Sequence, residues 1–359
     1  MTTAQQSTAD SSRIVSVRLG GFTDVYYAYD FARPPKIDRP FTTQAARHNE
    51  FNVNLAFIEA VAAGASVRGR IALQAGSSVQ ANYASEPRVG TISGPEVSRF
   101  LQEATAGVRV AQMVWIDAGI FFSHIGSESW ISRDNPTYTR SLAADFTPYY
   151  ETGIRATWTP RPTFSAQLNL LNGWQNVSET NSDKAIGLRF DYALFPSLSF
   201  AYDNFFGNEA PDSVPSRTRV FHELTVRANP TKRVQLLALA QRGTERRARR
   251  SGSAAWSGAV AIGRVELTPR IATAARVEFY SDPEQVIVPT GIMAGFRAHG
   301  ASLGLDALVA PGVSWRNEIR SLRFADAVYP ARPDGRLVRS DLFVVTALNL
   351  TIAASFSPH

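Results

Sequence analysis

Charged residues of opposite sign recur two positions apart at several places along the chain. Residues two apart on a β-strand project from the same face, so each group would present a cation beside an anion to one environment. Fixed charges of this kind either brace a wall through ion pairs or set the electric field along a water-filled passage, and the two roles are compatible. The groups are Arg189/Asp191, Arg264/Glu266, Arg276/Glu278 and Arg316/Glu318/Arg320.

The sequence contains few residue patterns that could support catalysis or bind a metal ion. Ser123 and His124 are adjacent, but neighbours on a strand point to opposite faces, so they cannot form a nucleophile–base pair on their own. The chain contains no Cys, no GxSxG motif and no phosphate-binding loop. We therefore expect no enzyme, no cofactor and no metal site. No metal-ligand spacing occurs among the five histidines, His48, His124, His222, His299 and His359.

In the segments that must position the charges, apolar and polar residues alternate with a period of two, which is the period of a strand. Over residues 51–57, Phe51, Val53, Leu55 and Phe57 form one apolar face. Helical spacing is scarce, and the best helical candidate is residues 95–103, which Pro95 could begin. The same two-residue alternation runs through residues 114–122, 154–158 and 271–279.

The connections between about 16 strand candidates alternate in kind, which is typical of an outer-membrane barrel with short periplasmic turns and long extracellular loops. A soluble β-sandwich has no reason to keep one side of every hairpin short, and no blade-length repeat favours a propeller. An even strand count would place both termini at the periplasmic rim. The short connections lie near residues 63–65, 111–112, 160–162, 195–197, 229–232, 268–270 and 310–312. The long ones span roughly residues 32–46, 84–99, 124–148, 175–183, 207–217, 243–253, 281–290 and 325–340.

The composition agrees with a membrane barrel rather than a nucleic-acid binder. The chain holds 37 Lys and Arg residues, only three of them lysine, and the arginines are dispersed among acids instead of forming a basic stripe. The exception, residues 246–250, would bind lipid phosphates or be a solvated loop. No segment approaches the roughly 20 apolar residues of a membrane-spanning helix. We expect residues 1–13 to be a flexible segment and residues 14–356 to form the barrel.

Strand parity assigns the charged faces to the barrel interior. A charge facing lipid would cost about 2–4 kcal/mol at the bilayer midplane, so the apolar faces must point outward. The same parity places Arg18, Arg264 and Glu266 inside. The predicted pore-lining residues are Arg68, Arg70, Glu103, Arg109, Asp117, Glu151, Arg155, Arg189, Asp191, Glu223, Arg227, Arg276, Glu278, Arg316, Glu318 and Arg320.

The longest loop, residues 124–148, is the candidate constriction. A long loop that folds into the lumen narrows it, and mixed charges on the loop would orient polar solutes; the alternative is an extracellular cap. Its charged candidates are His124, Glu128, Arg133, Asp134, Arg140 and Asp145.

Aromatic residues lie near strand ends, where they would form girdles at the two membrane interfaces; ordinary core packing is the alternative. They include Tyr26, Tyr27, Tyr29, Phe31, Phe121, Phe122, Tyr149, Tyr150, Trp158, Trp174, Phe205, Phe206, Phe279 and Tyr280.

Several longer stretches resemble the OmpL-like family of outer-membrane β-barrel porins. The resemblance covers much of residues 20–190 and implies an outer-membrane barrel and a porin, without catalytic or ligand-binding residues to carry over. The stretches are YYAYDFARP (26–34), RHNEFNVNLA (47–56), RGRIALQAG (68–76), VQANYASEP (79–87), DAGIFFSHIGSES (117–129), DNPTYTRSLAADFTPYYETG (134–153), LLNGWQN (170–176) and EFYSDPEQVI (278–287).

Together these observations predict an all-β chain forming a single transmembrane antiparallel up-and-down barrel in the bacterial outer membrane. The expected function is passive diffusion of small polar or charged solutes through an arginine-rich lumen, with a mild anion preference. The alternative is a closed-lumen barrel that serves as a structural or scaffold subunit of an outer-membrane complex. The expected partners are outer-membrane lipid, small solutes or ions, and a second copy of the chain or an outer-membrane complex, but no nucleic acid.

Overall fold

The computed structural model describes residues 15–248, 251–331 and 334–356, and sixteen antiparallel strands in this part of the chain close into one barrel. Each strand pairs with its neighbours in sequence, and β18 closes the ring between β15 and β1. The prediction of a single barrel of about 16 strands is confirmed. The barrel strands are β1 (Ser16–Asp30), β2 (Glu50–Ala63), β3 (Val67–Ala75), β4 (Leu101–Ala111), β5 (Val114–Phe122), β6 (Tyr150–Arg161), β7 (Phe164–Leu171), β8 (Ala185–Phe195), β9 (Leu198–Asn208), β10 (Thr218–Thr231), β11 (Val234–Arg246), β12 (Ser253–Thr268), β13 (Ile271–Asp282), β14 (Phe296–Ala310), β15 (Val313–Phe324) and β18 (Ser340–Phe356).

Short and long connections lie at opposite rims, which we call the turn rim and the loop rim. At the turn rim, Ser16 pairs with Ala63 and Val17 with Phe356, so both ends of the barrel chain lie there. The predicted flexible segment, residues 1–13, falls outside the described residues. The longest connection, residues 123–149 between β5 and β6, is called the third loop below.

Short helices and one small hairpin complete the described structure. The helical candidate over residues 95–103 is helical only over its first turn, because β4 begins at Leu101 and carries Glu103 into the wall. No described helix is long and apolar enough to cross a membrane. The elements are α1 (Ser77–Asn82), α2 (Pro95–Ser98), a 3₁₀ turn (Ser132–Asp134), α3 (Leu142–Asp145) and a hairpin of β16 (Tyr329–Pro330) and β17 (Leu337–Val338).

A β-bulge in β2 breaks the predicted apolar face over residues 51–57. The register shifts there, leaving Asn54 as the extra residue. A bulge moves the residues on either side of it to opposite faces. Phe51 therefore points outward and is 86% exposed, whereas Leu55 and Phe57 are buried inside the barrel.

The predicted aromatic girdles are correct only in part. Adjacent aromatics on a strand face opposite ways, so Phe206 is exposed outside while Phe205 is buried inside. Trp174, Phe221 and Trp256 join Phe205 in an aromatic cluster inside the loop-rim half of the barrel. The inward-facing aromatic of such a pair therefore belongs to core packing, and the outward-facing one fits a girdle.

Candidate functional site within the barrel

The third loop lies inside the barrel rather than over its mouth. Ile125, Trp130, Tyr138 and Leu142 are each at most 5% exposed. Local signals shape the loop: the Ser141 hydroxyl caps α3 by accepting from the Ala144 N–H, as expected of a serine before a helix. Its apolar residues can leave water because the lumen wall and the other loops cover them.

Asp24 on β1 anchors one end of the third loop. Its carboxylate, fully buried, accepts hydrogen bonds from Ser132 Oγ at 2.7 Å, Tyr138 Oη at 3.1 Å and Asn54 Nδ2 at 2.8 Å. A buried carboxylate is tolerated only when its oxygens are satisfied. Ser132 and Tyr138 therefore fix the loop to the wall, and Asn54 of β2 supplies the third donor. The sequence-based list of interior charges omits Asp24.

A layer of buried ion pairs joins the loop to the wall formed by β13 and β15. Arg276 Nη2 lies 2.9 Å from Glu318 Oε1, and Arg320 Nε lies 2.8 Å from Glu278 Oε1. All four side chains are inaccessible to solvent. Glu318 also accepts from the Thr139 backbone N–H at 2.7 Å, which fastens the third loop to the layer.

Glu278 makes the second such link. It accepts from the backbone N–H of Leu142, at the start of α3, at 2.7 Å. The ion-pair layer therefore pairs internally, and its two glutamates, Glu278 and Glu318, also bind the backbone of the third loop.

Arg316 and Arg264 bind backbone carbonyl groups just after the 3₁₀ turn of the third loop. Arg316 donates from Nη2 to the Asn135 oxygen at 3.0 Å and to Asp306 Oδ2 at 3.0 Å. Arg264 also pairs with Asp306 and donates to the Pro136 oxygen at 3.1 Å. A planar guanidinium can serve a carboxylate and carbonyls at once, which suits arginine to this bridging position.

On the opposite wall, Arg189 and Arg227 contact the start of the loop. Arg189 pairs with Asp191 at 2.9 Å and donates to the Gly126 oxygen at 3.0 Å. Arg227 donates to the Ser127 oxygen at 2.7 Å and has no carboxylate partner among the described ion pairs.

His124 occupies a cationic position at the first turn of the loop. Its Nδ1 lies 2.8 Å from Glu151 Oε2, and its Nε2 lies 2.8 Å from the backbone oxygen of Asn204. With Glu151 ionised, both partners accept hydrogen bonds, and this arrangement favours a proton on each ring nitrogen. Burial alone would lower the pKa of His124, but Glu151, the Asn204 backbone oxygen and Asp203 together outweigh it and the pKa is raised.

The remaining loop charges have separate environments. Burial raises the pKa of Glu128, which accepts from the Ser141 hydroxyl. The Arg140 guanidinium stacks 3.7 Å from the Tyr149 ring centre, and Asp145 accepts from Tyr149 Oη at 2.5 Å. Arg133 and Asp134 are partly exposed, toward the turn rim.

The other predicted wall residues also project inward, on the side formed by β3 to β6. Asp117 pairs with Arg68 at 2.5 Å and with Arg155 at 3.6 Å. Arg70 lies between Glu103 and Glu59, pairing with Glu59 at 2.8 Å.

Arg109 is nearer the turn rim, where its guanidinium lies 5.0 Å from the Trp115 ring centre. Glu223 is buried on β10, directly across from Asp203 on β9.

Sequence reasoning missed several interior charges besides Asp24, and strand parity could have found most of them. Asp203 and Phe205 share the inner face of β9, and Arg219 shares that of β10 with Glu223. Part of the inner wall is instead apolar, contrary to the parity rule. Leu237, Leu239, Val260 and Ile262 face inward and contact Ala143 of α3.

One cavity lies on each side of the third loop, and the two cavities share no described lining residue. The loop-side cavity has a volume of about 710 Å³ and lies between the outer loops, Trp174 and Arg219. The turn-side cavity has a volume of about 570 Å³. Five arginines and three carboxylates line the turn-side cavity: Arg133, Arg227, Arg264, Arg270, Arg316, Asp134, Glu266 and Asp306. Among the described residues no acid or histidine cluster could hold a metal ion.

Comparisons with known proteins agree with this architecture. The profile of the family described as "Putative beta-barrel porin-2, OmpL-like" matches residues 16–352. The chain is similar in fold to an anion-selective porin from Comamonas acidovorans, with a TM-score of 0.60 at 14% identity over 94% of this chain and 100% of that one.

It is also similar to the outer membrane channel DcaP of Acinetobacter baumannii, with a TM-score of 0.60 at 10% identity over 94% and 97% of the two chains. The trimer form of OmpT, an outer membrane protein of Vibrio cholerae, gives a TM-score of 0.58 at 8% identity over 94% and 100%. At these identities the likeness shows the fold alone. No curated protein sequence matches the chain.

Proposed function

The chain belongs to the OmpL-like family of β-barrel porins in the bacterial outer membrane, and we propose that it is a passive diffusion channel for small polar or charged solutes. The observation that carries the proposal is the pair of cavities on either side of the third loop. In this proposal a solute crosses the barrel by passing the third loop, which acts as the constriction. Its charged residues, His124, Glu128, Arg133, Asp134, Arg140 and Asp145, then influence passage.

The charge of the turn-side cavity supports a mild anion preference. Its five arginines outnumber its three carboxylates, and rings of basic side chains favour anions in pores. Arg227 contributes most directly in this proposal, because no described carboxylate pairs with it. The inward-facing arginines of β3, β6 and β8 would extend the same field along the opposite wall.

Single-channel recording in a planar bilayer tests the channel. We expect discrete conductance steps from purified, folded protein, and a reversal potential in a salt gradient that favours anions. Folding is checked independently by a gel shift between unboiled and boiled samples. Folded protein that inserts into the bilayer without conductance would refute the channel.

A closed barrel that serves as a structural subunit is the second candidate. It is favoured by the ion-pair layer of Arg276, Glu278, Glu318 and Arg320, whose side chains are inaccessible to solvent. A lumen braced shut at this level would give no conductance in the wild type. Removing the third loop would then open the pore, whereas in a working porin it would only enlarge an existing conductance.

Association with a second copy of the chain is also part of the proposal. One similar structure is described as a trimer form. Sedimentation of the detergent complex measures this directly. A mass equal to one chain would rule it out.

A further inference from the structure

The outer wall near the loop rim carries a row of basic and hydroxyl side chains, in which His222 Nδ1 also lies 2.7 Å from Tyr202 Oη. His222 pairs across strands with Arg242, Arg242 with Ser257, Ser257 with Ser281, and Ser281 with Arg297. These five residues are direct neighbours on β10 to β14, and we call them the basic row. Their outward direction follows from parity, since the residues on either side of each, such as Phe221 and Trp256, are buried inside.

The next row toward the membrane marks a change of chemistry. On β10 to β13 it consists of apolar residues, Leu224, Ala240, Ala259 and Phe279. On β14 and β15 it continues with His299 directly opposite Arg323. On β10 to β13 the basic row therefore borders the apolar band, at the level where we expect lipid headgroups to meet the barrel.

The arginines of this surface lack protein partners. Arg242, Arg297 and Arg323 are exposed and form no ion pair with any described carboxylate. The lumen arginines contrast with them, since Arg276, Arg316 and Arg320 each pair with a carboxylate. An exposed cation without a partner beside an apolar band can gain a partner from the membrane itself.

We propose that the basic row, together with Arg323, binds the phosphate groups of anionic lipid headgroups in the outer leaflet. Arginine forms paired hydrogen bonds with phosphate oxygens, and the Ser257 and Ser281 hydroxyls supply further donors between Arg242 and Arg297. No acid lies at the positions of the row itself. The site is on the outside of the barrel and does not depend on whether the lumen conducts.

The basic run at residues 246–250 is a different feature. Arg247 pairs with Glu284 at 2.5 Å, and residues 249 and 250 lie outside the described part of the chain. Arg247 therefore already has a carboxylate partner, unlike the arginines of the basic row.

Native mass spectrometry of the full-length protein in detergent tests the proposal, with bisphosphorylated lipid A as the probe and dephosphorylated lipid A as its reference. The test variant combines Arg242→Gln, Arg297→Gln and Arg323→Gln. The matched control combines Arg161→Gln, Lys232→Gln and Arg233→Gln, which removes the same charge from exposed positions at the turn rim.

We expect wild type to prefer the phosphorylated lipid, the test variant to bind it at least about tenfold more weakly, and the control to match wild type. Arginine-to-lysine replacements at the three test positions should keep most of the binding, because the charge remains. An equal loss in the control, or an unchanged test variant, would overturn the proposal. If the test variant does not fold, equal binding of the two lipids by wild type would still overturn it.

A competition with inorganic phosphate distinguishes a lipid site from a site for free anions. We expect millimolar phosphate to leave the bound lipid in place, because the acyl chains add apolar contact with the band below the row. Displacement of the lipid by an equal concentration of phosphate would show a free-anion site instead, and would contradict the assignment to headgroups.

Discussion

His124 and Glu151 form a buried pair that links the first turn of the third loop to the wall strand β6, with Nδ1 2.8 Å from Oε2. The Ser123 hydroxyl donates to the same carboxylate at 2.8 Å. Gly187 makes this pair possible, because a Cβ there would lie 2.2 Å from the imidazole ring. The pair therefore depends on a missing side chain two strands away from Glu151.

Raising the pH should loosen this attachment. The pKa of His124 is raised in the folded protein, so its stabilising contribution is complete below the unfolded value of about 6.5 and is lost as the pH rises through the folded value. We expect the thermal unfolding temperature in detergent to fall as the pH rises above about 6.5, and His124→Gln to reduce that slope. The exposed His299→Gln is the control and should keep the wild-type slope; an unchanged slope in His124→Gln would contradict the assignment.

Removing Arg276 should destabilise the barrel severely. Arg276→Met leaves Glu318 buried without its ion-pair partner, and such a loss costs about 3–5 kcal/mol. It also releases Thr139, whose backbone oxygen accepts from Arg276 Nη1 at 2.5 Å. Denaturant unfolding followed by tryptophan fluorescence measures the loss.

The control is Arg88→Gln, because Arg88 pairs with Glu96 in an exposed loop. That change should cost less than about 1 kcal/mol. A comparable loss in the two variants would mean that the ion-pair layer contributes no more than a surface pair.

The sequence predicts the wall better than the contents of the barrel. Alternate residues on a strand point to the same face, so the position of a residue along the strand predicts which way its side chain points. The inward projection of Arg189 or Arg276 follows from this period alone. The rule fails at Leu55, where a bulge shifts the register, and bulges leave little trace in a single sequence. It also fails at Val260, which faces the lumen yet is apolar because it meets Ala143 of the loop.

The position of the third loop could not be predicted for a different reason. Its anchors lie far away in sequence, for example Asp24 for Tyr138 and Glu318 for Thr139. Whether those groups meet depends on closure of the whole barrel, which no local pattern encodes. The sequence therefore left the inner constriction and the outer cap as equal alternatives.

Arg227 should control ion preference if the barrel conducts. Its guanidinium lines the turn-side cavity and donates only to the Ser127 oxygen among the described groups. Arg227→Glu should lower the ratio of anion to cation permeability, measured from the reversal potential in a salt gradient. Arg297→Gln changes the charge on the outer wall and should leave the ratio unchanged. An equal shift in both variants would indicate that surface charge, not the cavity, sets the preference.

Gly119 and Gly153 are direct cross-strand partners on β5 and β6, and both have positive φ angles, 133° and 158°. A Cβ at Gly119 would lie 1.9 Å from the Ala104 oxygen, and one at Gly153 would lie 2.0 Å from the Leu170 oxygen. Because those atoms belong to the backbone of adjacent strands, an added methyl group cannot be accommodated by rotating a side chain. Gly119→Ala should therefore lower the free energy of unfolding by at least about 1–3 kcal/mol, the cost of a strained backbone position or an overpacked site.

The control for Gly119→Ala is Gly263→Ala on β12, where the nearest atom to the new Cβ would be Leu236 Cδ2 at 3.5 Å. That variant should fold like wild type, since the contact is an ordinary van der Waals distance. The fraction of protein that migrates as the folded form on gels before boiling measures assembly, and denaturant unfolding measures stability. Equal behaviour of the two variants would show that β5 can shift away from β4, because only such a shift removes the clash with the Ala104 oxygen.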